Sequence, residues 1–194
     1  SSELVNQLRQ FSKIRPSVQA PILIENMLKD TLKQLQESAT SQQRLTLELE
    51  VDQLELIGDE AQLKSALMSL GLNALQATQA ERGLVQLHAY IATLDEQSCK
   101  RSTYKVRPGR FVCFEVSDNG EGIKAELKER IFEPFFTTKA KGEGTGLGLH
   151  VLIEAVRSVG GTVDLLSTEG VGTRFVLKLP CQLEGCAPTL TADV

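Results

Sequence analysis

The segment FVCFEVSDNGEGI, Phe111–Ile123, decides how this chain is read. Val112, Phe114 and Val116 recur at every second position, the period of a strand with one buried face. The strand runs directly into Asp118, so one carboxylate emerges at its end, with Gly120 and Gly122 close behind. An ordinary Asn-Gly turn accounts for such a stretch. So does a pocket. A buried carboxylate there needs a donor, which the exocyclic amine of a purine supplies, and residues without a Cβ let a ring lie against the backbone. The motif alone leaves both readings open.

Three other segments carry chemistry. In SLGLNALQAT, Ser69–Thr78, Asn73 stands in mid-helix, where Asn is a poor helix former. It lies one turn after Ser69 and one before Ala77. It reads either as a polar residue capping a neighbouring loop or as an amide oxygen for a hard cation such as Mg²⁺. In IFEPFFTTKAKGEG, Ile131–Gly144, three phenylalanines crowd around Pro134, then Thr137, Thr138 and Lys139 bring hydroxyls and a cation. The small polar run that follows suits a hinge or lid. In GTGLGLHVLIEAV, Gly144–Val156, three glycines alternate with Thr145 and Leu147 and open a helix. Free N–H groups at a helix start, with its dipole, attract anions, and glycines let a phosphate approach. This spacing is neither the Walker pattern nor a plain GxGxxG after a strand.

Elsewhere, Leu4, Leu8 and Phe11 fall at helical spacing before Pro16 and Pro21 interrupt the pattern. From Ile24 to Leu35 the apolar residues repeat at three and four, predicting an amphipathic helix that packs on the main domain or on a dimer partner. Leu45 to Val51 alternate as a strand, Asp59 sits at a helix N-cap, and the helix runs to Ala80. Val85 to Ile91 alternate again. The polar stretch Asp95–Gly109 reads as an exposed hairpin extension. Two strands, near Thr162–Ser167 and Thr173–Leu179, close the domain, and the tail 181–194 reads as loose. Interleaved helices and strands ending in a hairpin predict an α/β fold: two layers, a mixed sheet with helices on one face.

A chain of 194 residues buries one real core. With 41% apolar and 24% charged residues and a net charge of -4, it has a globular composition and lacks the basic footprint of a nucleic-acid binder. The run Ile22–Ile24 is far too short to span a membrane, and no signal peptide is read at the start. The four cysteines lack metal-like spacing; Cys113 reads as a buried thiol and the set as reduced, suggesting a cytoplasmic setting.

Taken in order, these segments resemble the nucleotide-binding domain of the GHKL (gyrase, heat-shock, histidine kinase, MutL) superfamily, and within it the catalytic domain of sensor histidine kinases. SLGLNA is similar to the N box, DNGEGI to the first glycine box, EPFFTTK to the F box and GTGLGL to the second glycine box. EGVGTRFVLKLP, Glu169–Pro180, is similar to the closing hairpin. The resemblance covers about Leu45–Pro180. It implies ATP and Mg²⁺ as cofactors, with ATP between the N-box helix and a lid. Asp118 then accepts from the adenine amine, with Gly122 beside the ring, Gly120 and Ile123 adjoining, and Thr173 in the same network. Asn73 is the metal ligand and, with Ser69 and Lys139, catalytic. Lys139 and the backbone of Gly144, Gly146, Gly148 and Leu149 hold the triphosphate, with Thr138, Thr145 and Leu147 along the same wall.

The resemblance also implies three parts: a helical segment at 1–40 ending a dimerisation hairpin, a catalytic domain at 41–180 and a tail at 181–194. The activity implied is transfer of the ATP γ-phosphoryl to a histidine on an upstream helix of a homodimer, and onward to a response regulator receiver. Two departures qualify it: Ser69 stands where the family usually has Asn, and Gln76 where some relatives have a basic residue. Neither His88 nor His150 fits an acceptor box, so both read as structural. The alternatives are a nucleotide-gated interaction module with weak or no transfer, and a serine kinase of the anti-sigma type.

Overall fold

The computed structural model describes residues 18–51, 54–78, 82–136 and 148–181. Its frame is a five-stranded sheet of β2 (Arg44–Leu49), β4 (Leu84–Leu94), β5 (Gly109–Asp118), β7 (Gly172–Pro180) and β6 (Thr162–Thr168), in that spatial order. β2 and β4 are parallel and the remaining pairs antiparallel, so the sheet is mixed. A parallel pair needs a long crossover. Here it is made by β3 (Glu55–Gly58) and the helix α2 (Glu60–Ala77).

Three helices cover one face: α1 (Ile24–Ser38), α2, and α4 (Gly148–Ser158). The alternation read in β5 works as expected. Val112, Phe114 and Val116 point into the core, where Phe114 and Val112 are fully buried beside Leu67, Leu70 and Leu177. Burying a side chain such as Phe114 stabilises by about 1.5–3 kcal/mol. Asp59 caps α2 as predicted, its carboxylate accepting from the Gln62 N–H at 3.1 Å. The periodic residues of α1 pack on the domain: Ile24, Met27, Leu28 and Leu35 share its core. Thr31, on the same buried stripe, satisfies its hydroxyl on the Met27 carbonyl at 2.8 Å.

Two elements differ from the sequence reading. Ala20–Leu23 forms a strand, β1, antiparallel to β3, so Pro21 lies within a ribbon instead of merely interrupting helices. A two-stranded ribbon lets Pro occupy an edge, where its missing N–H costs nothing. The stretch Asp95–Gly109 is not simply an exposed extension either. It contains a short helix, α3 (Glu96–Arg101), capped by Asp95, whose carboxylate accepts from the Ser98 N–H at 2.7 Å. That helix lays Cys99 against Leu94, Phe111, Cys113 and Val176, a second small core on the sheet face opposite α1, α2 and α4. Further along, Tyr104 stacks under the Arg157 guanidinium at 4.8 Å and ties the extension to α4. Cys113 is a fully buried free thiol as expected, and Cys99 is also free; Cys181, however, is disulfide-bonded, which the reading of four reduced thiols did not anticipate.

Candidate functional site

The site is assembled along α2. Ser69, Asn73 and Ala77 fall four residues apart, roughly 6 Å of helix rise for each step. At one end Ser69 faces the start of α4: a Cβ placed on Gly148 would sit 2.9 Å from the Ser69 hydroxyl. At the other end the Ala77 carbonyl accepts from the Glu121 N–H at 3.2 Å, and a Cβ on Gly120 would come within 2.5 Å of that carbonyl oxygen. Asn73 lies between them, half-buried. The N-box helix thus joins the turn after β5 to the first residue of α4.

Asp118 is anchored at that turn. Its Oδ1 accepts from the Gly120 N–H at 2.8 Å and the Thr173 N–H at 3.3 Å. Among the described residues no group donates to Oδ2. Burial pushes the Asp118 carboxyl above the usual carboxylate range, and the two backbone donors only partly offset this. The arrangement is an acid held by one oxygen with the other left for a donor.

Around it runs a hydroxyl network that the sequence reading missed in part. Ser167 accepts from the Ile123 N–H at 2.8 Å, donates to the Gly172 carbonyl at 3.0 Å and meets the Thr173 hydroxyl at 2.9 Å. With the Ser167 proton committed to Gly172, the Thr173 hydroxyl donates to Ser167 and keeps its own lone pairs. Nothing in the LLST run marks Ser167 in advance; only the β6–β7 pairing, Ser167 opposite Thr173, brings it in. Asn119 was also missed. Its amide accepts from the Leu84 N–H at 2.7 Å and donates to the Arg82 carbonyl at 3.0 Å, clamping the turn to the start of β4. Gln43 plays a similar part at the end of α2, donating to the Leu75 carbonyl at 2.7 Å and the Thr78 hydroxyl at 3.0 Å.

The structure changes the reason given for the two glycines. Gly122 has φ +70°, and a Cβ there would stand 2.1 Å from the Thr168 carbonyl oxygen; Gly120 is crowded by Ala77. Their small size is demanded by protein backbone, which bears on the turn among the two readings that the sequence leaves open. The phenylalanine cluster also divides. Phe132 packs on the core and Phe136 lies under the Arg130 guanidinium at 4.6 Å, but Phe135 is 67% exposed with φ 67°. Thr138, Lys139, Gly144, Thr145, Gly146 and Leu147 lie outside the described residues, so the structure brings together Ser69, Asn73, Asp118, Gly120, Gly122, Ile123, Gly148, Leu149 and Thr173 of the expected set.

Residues 58–183 match the family described as histidine kinase-, DNA gyrase B-, and HSP90-like ATPase. The chain belongs to this ATPase family. Among relatives, it is 42% identical over 123 residues to the two-component sensor PprA of Pseudomonas aeruginosa, covering 63% of this chain and 12% of PprA. It is 32% identical over 188 residues to the sensor kinase CckA of Brucella abortus, covering 95% of this chain and 19% of CckA. It is 40% identical over 129 residues to the sensor histidine kinase ZraS of Escherichia coli O157:H7, covering 66% of this chain and 24% of ZraS. The chain therefore spans a quarter or less of these three proteins. Among solved structures, the catalytic domain of histidine kinase ThkA superposes with a TM-score of 0.66 at 25% identity, over 84% of this chain and 96% of that one. Full-length ShkA in complex with AMPPNP superposes at 0.71 and 24% identity, over 93% of this chain and 35% of that one, a likeness of fold. The ATPase-family fold, a mixed sheet with helices on one face, is therefore the one observed here.

Proposed function

We propose that this chain is the ATP-binding catalytic part of a two-component sensor histidine kinase. The observation that carries the reading is Asp118: a half-buried acid, fixed through Oδ1 and open at Oδ2, at the end of a helix whose other end abuts the start of α4. In this reading Oδ2 accepts the exocyclic amine of adenine, with the Thr173 and Ser167 hydroxyls ordering the surrounding contacts. The phosphates extend along α2 toward Ser69 and the N-terminus of α4, where Gly148 and Leu149 offer amides to anionic oxygen. Lys139 adds a cation. The amide oxygen of Asn73 suits Mg²⁺, a hard ion that shares oxygen ligands with phosphate and neutralises charge developing on the transferred group.

Transfer of this kind rests on positioning and charge neutralisation. The rigid α2 scaffold supplies the first. The acceptor is a histidine imidazole on an upstream helix, attacking in line. His88 is paired with Glu50 on the opposite sheet face and His150 lies in the first turn of α4, so both keep structural roles in this proposal. The functional division remains 1–40, 41–180 and 181–194, although α1 and β1 pack with the catalytic core. The whole protein acts as a homodimer, either soluble or membrane-anchored with this domain in the cytoplasm, and hands its phosphoryl to a receiver domain. No described helix is long and apolar enough to cross a membrane. Incubation with a separately prepared acceptor hairpin and γ-labelled ATP tests the reading. An acid-labile, base-stable label on the hairpin is expected. Tight ATP binding without label on any histidine overturns the transferase assignment and leaves the nucleotide-gated module, which Ser69 in the place of Asn favours; an acid-stable label selects the serine kinase.

Replacing Asn73 by Ala should abolish Mg²⁺-dependent transfer while lowering ATP binding measured in EDTA far less, since the proposed metal-linked contact is absent without the ion. Equal loss with and without metal would instead mean that Asn73 holds the helix. The raised Asp118 pKa sets a second expectation. The carboxylate form accepts the amine, so affinity for adenine nucleotides falls as pH drops through that pKa. The fall begins above the ordinary aspartate value of about 3.9. Calorimetric titration from pH 8 down through the pH at which the free Asp118 carboxyl is seen by NMR to titrate measures it, and an affinity unchanged across that titration would remove Asp118 from the contact.

A further inference from the structure

On the sheet face away from α1, α2 and α4, the edge strand β2 and its neighbour β4 hold a group of side chains that nucleotide chemistry does not use. Glu48 is directly opposite His88 in the parallel register, and Glu50, just past the end of β2 with its N–H on the Ala89 carbonyl at 2.8 Å, brings a second carboxylate to the same imidazole. His88 Nε2 is 2.9 Å from Glu50 Oε1, and one ligand atom from each of Glu48, Glu50 and His88 lies within 4.8 Å of the other two. The imidazole is held in place: its ring stacks on Tyr90 at 4.8 Å between centroids, and its side chain is only 17% exposed. Gln86 fixes the third member, donating to Glu48 Oε2 at 2.8 Å.

The charges here do not balance. A single histidine–glutamate pair would need only Glu50, yet Glu48 brings a second negative charge within 4.8 Å of the same group. Among the described residues no lysine or arginine forms an ion pair with either glutamate. Glu115, opposite His88 on β5, adds a third carboxylate to the row but is taken by Arg174 at 3.0 Å. Like charges this close on a sheet repel, and a cation between them relieves the repulsion.

We propose that Glu48, Glu50 and His88 bind a divalent transition-metal ion, with Zn²⁺ the best fit. One imidazole nitrogen and two carboxylate oxygens are a borderline donor set, suited to Zn²⁺ and Ni²⁺ and poorly suited to Mg²⁺, which prefers an all-oxygen octahedron. Tetrahedral bonds of about 2.1 Å place ligand atoms roughly 3.4 Å apart. The group contracts to that spacing by side-chain rotation alone, because Glu50 is 60% exposed and free to turn while His88 stays on Tyr90. Water completes the coordination from the solvent side. The bound ion joins the edge strand to the interior of the sheet, on the face opposite α2, which carries Ser69 and Asn73.

The test uses the whole chain stripped of metal, with the Cys181 disulfide intact, and saturated with Mg²⁺ so that sites preferring oxygen ligands are filled. Zinc chloride is titrated by calorimetry, and the His88 ring nitrogens are followed by NMR. One-to-one saturable binding is expected, with a large shift of the Nε2 resonance and a rise in Tm. Affinity falls by tenfold or more in His88→Ala and in Glu50→Gln, and by about tenfold in Gln86→Ala, which removes only the orienting hydrogen bond. Glu50 is exposed, so its variant keeps the fold if His88→Ala does not. The same affinity in His150→Ala, the chain's other histidine, supports the assignment. No saturable binding below about 1 mM, or binding undiminished in both His88→Ala and Glu50→Gln, overturns it.

Discussion

Asp118→Ala weakens ATP binding by roughly two orders of magnitude and removes the preference for adenine over guanine. A hydrogen bond to a charged partner contributes about 1.5–3 kcal/mol, and in the proposed site Asp118 is the acceptor that distinguishes an amine from a carbonyl. Truncation also frees the Gly120 and Thr173 N–H groups, which loosens the turn. Base selectivity separates the two effects. A loosened turn lowers affinity for ATP and GTP alike, whereas loss of the acceptor lowers affinity for ATP more. Calorimetry with both nucleotides, with circular dichroism to confirm the fold, reads the difference. An ATP affinity within threefold of wild type would dismantle the nucleotide site.

Gly122→Ala should damage folding itself. The residue adopts φ +70°, a left-handed conformation that costs an alanine roughly 1–2 kcal/mol. Its Cβ would also stand 2.1 Å from the Thr168 carbonyl oxygen, so the turn after β5 and the turn between β6 and β7 would have to separate. The combined cost is about 3 kcal/mol or more, against a total stability of roughly 5–15 kcal/mol. That corresponds to a Tm lowered by about 6–12 °C. Gly170 is the control, with φ +76° and nothing within 4 Å of its Cβ, so Gly170→Ala bears the conformational cost alone. A Gly122→Ala Tm within about 2 °C of the Gly170→Ala value would show that the contact with Thr168 yields without strain.

These glycines illustrate how far a sequence can be read. Their positions were legible, because alternation through Val116 fixed where the strand ended and the turn began. The cause was not, since Thr168 and Ala77 lie far away in the chain and only folding brings them close. Helix α2 was legible from its Asp59 cap and apolar repeat, and with it the spacing of Ser69, Asn73 and Ala77. The strand pair β1–β3 escaped because four residues are too few for periodicity to act, and Pro21 argued against pairing. Ser167, Asn119 and Gln43 escaped for another reason: each works by a hydrogen bond to a distant segment, and the local sequence contains no trace of that partner. The Asp95–Gly109 extension misled through its many charges, which conceal Cys99, the residue that seats it on the sheet.

Asp118 terminates a strand flanked by neighbours on both sides, paired with Val85 of β4 on one and Thr173 of β7 on the other. An interior rung of this kind has no slack with which to follow a guest. On the proposed role of Asp118, discrimination between nucleobases is settled when the sheet zips together, like the cut of a key fixed before any lock is tried, and whatever adaptation binding requires comes from the other walls of the cavity.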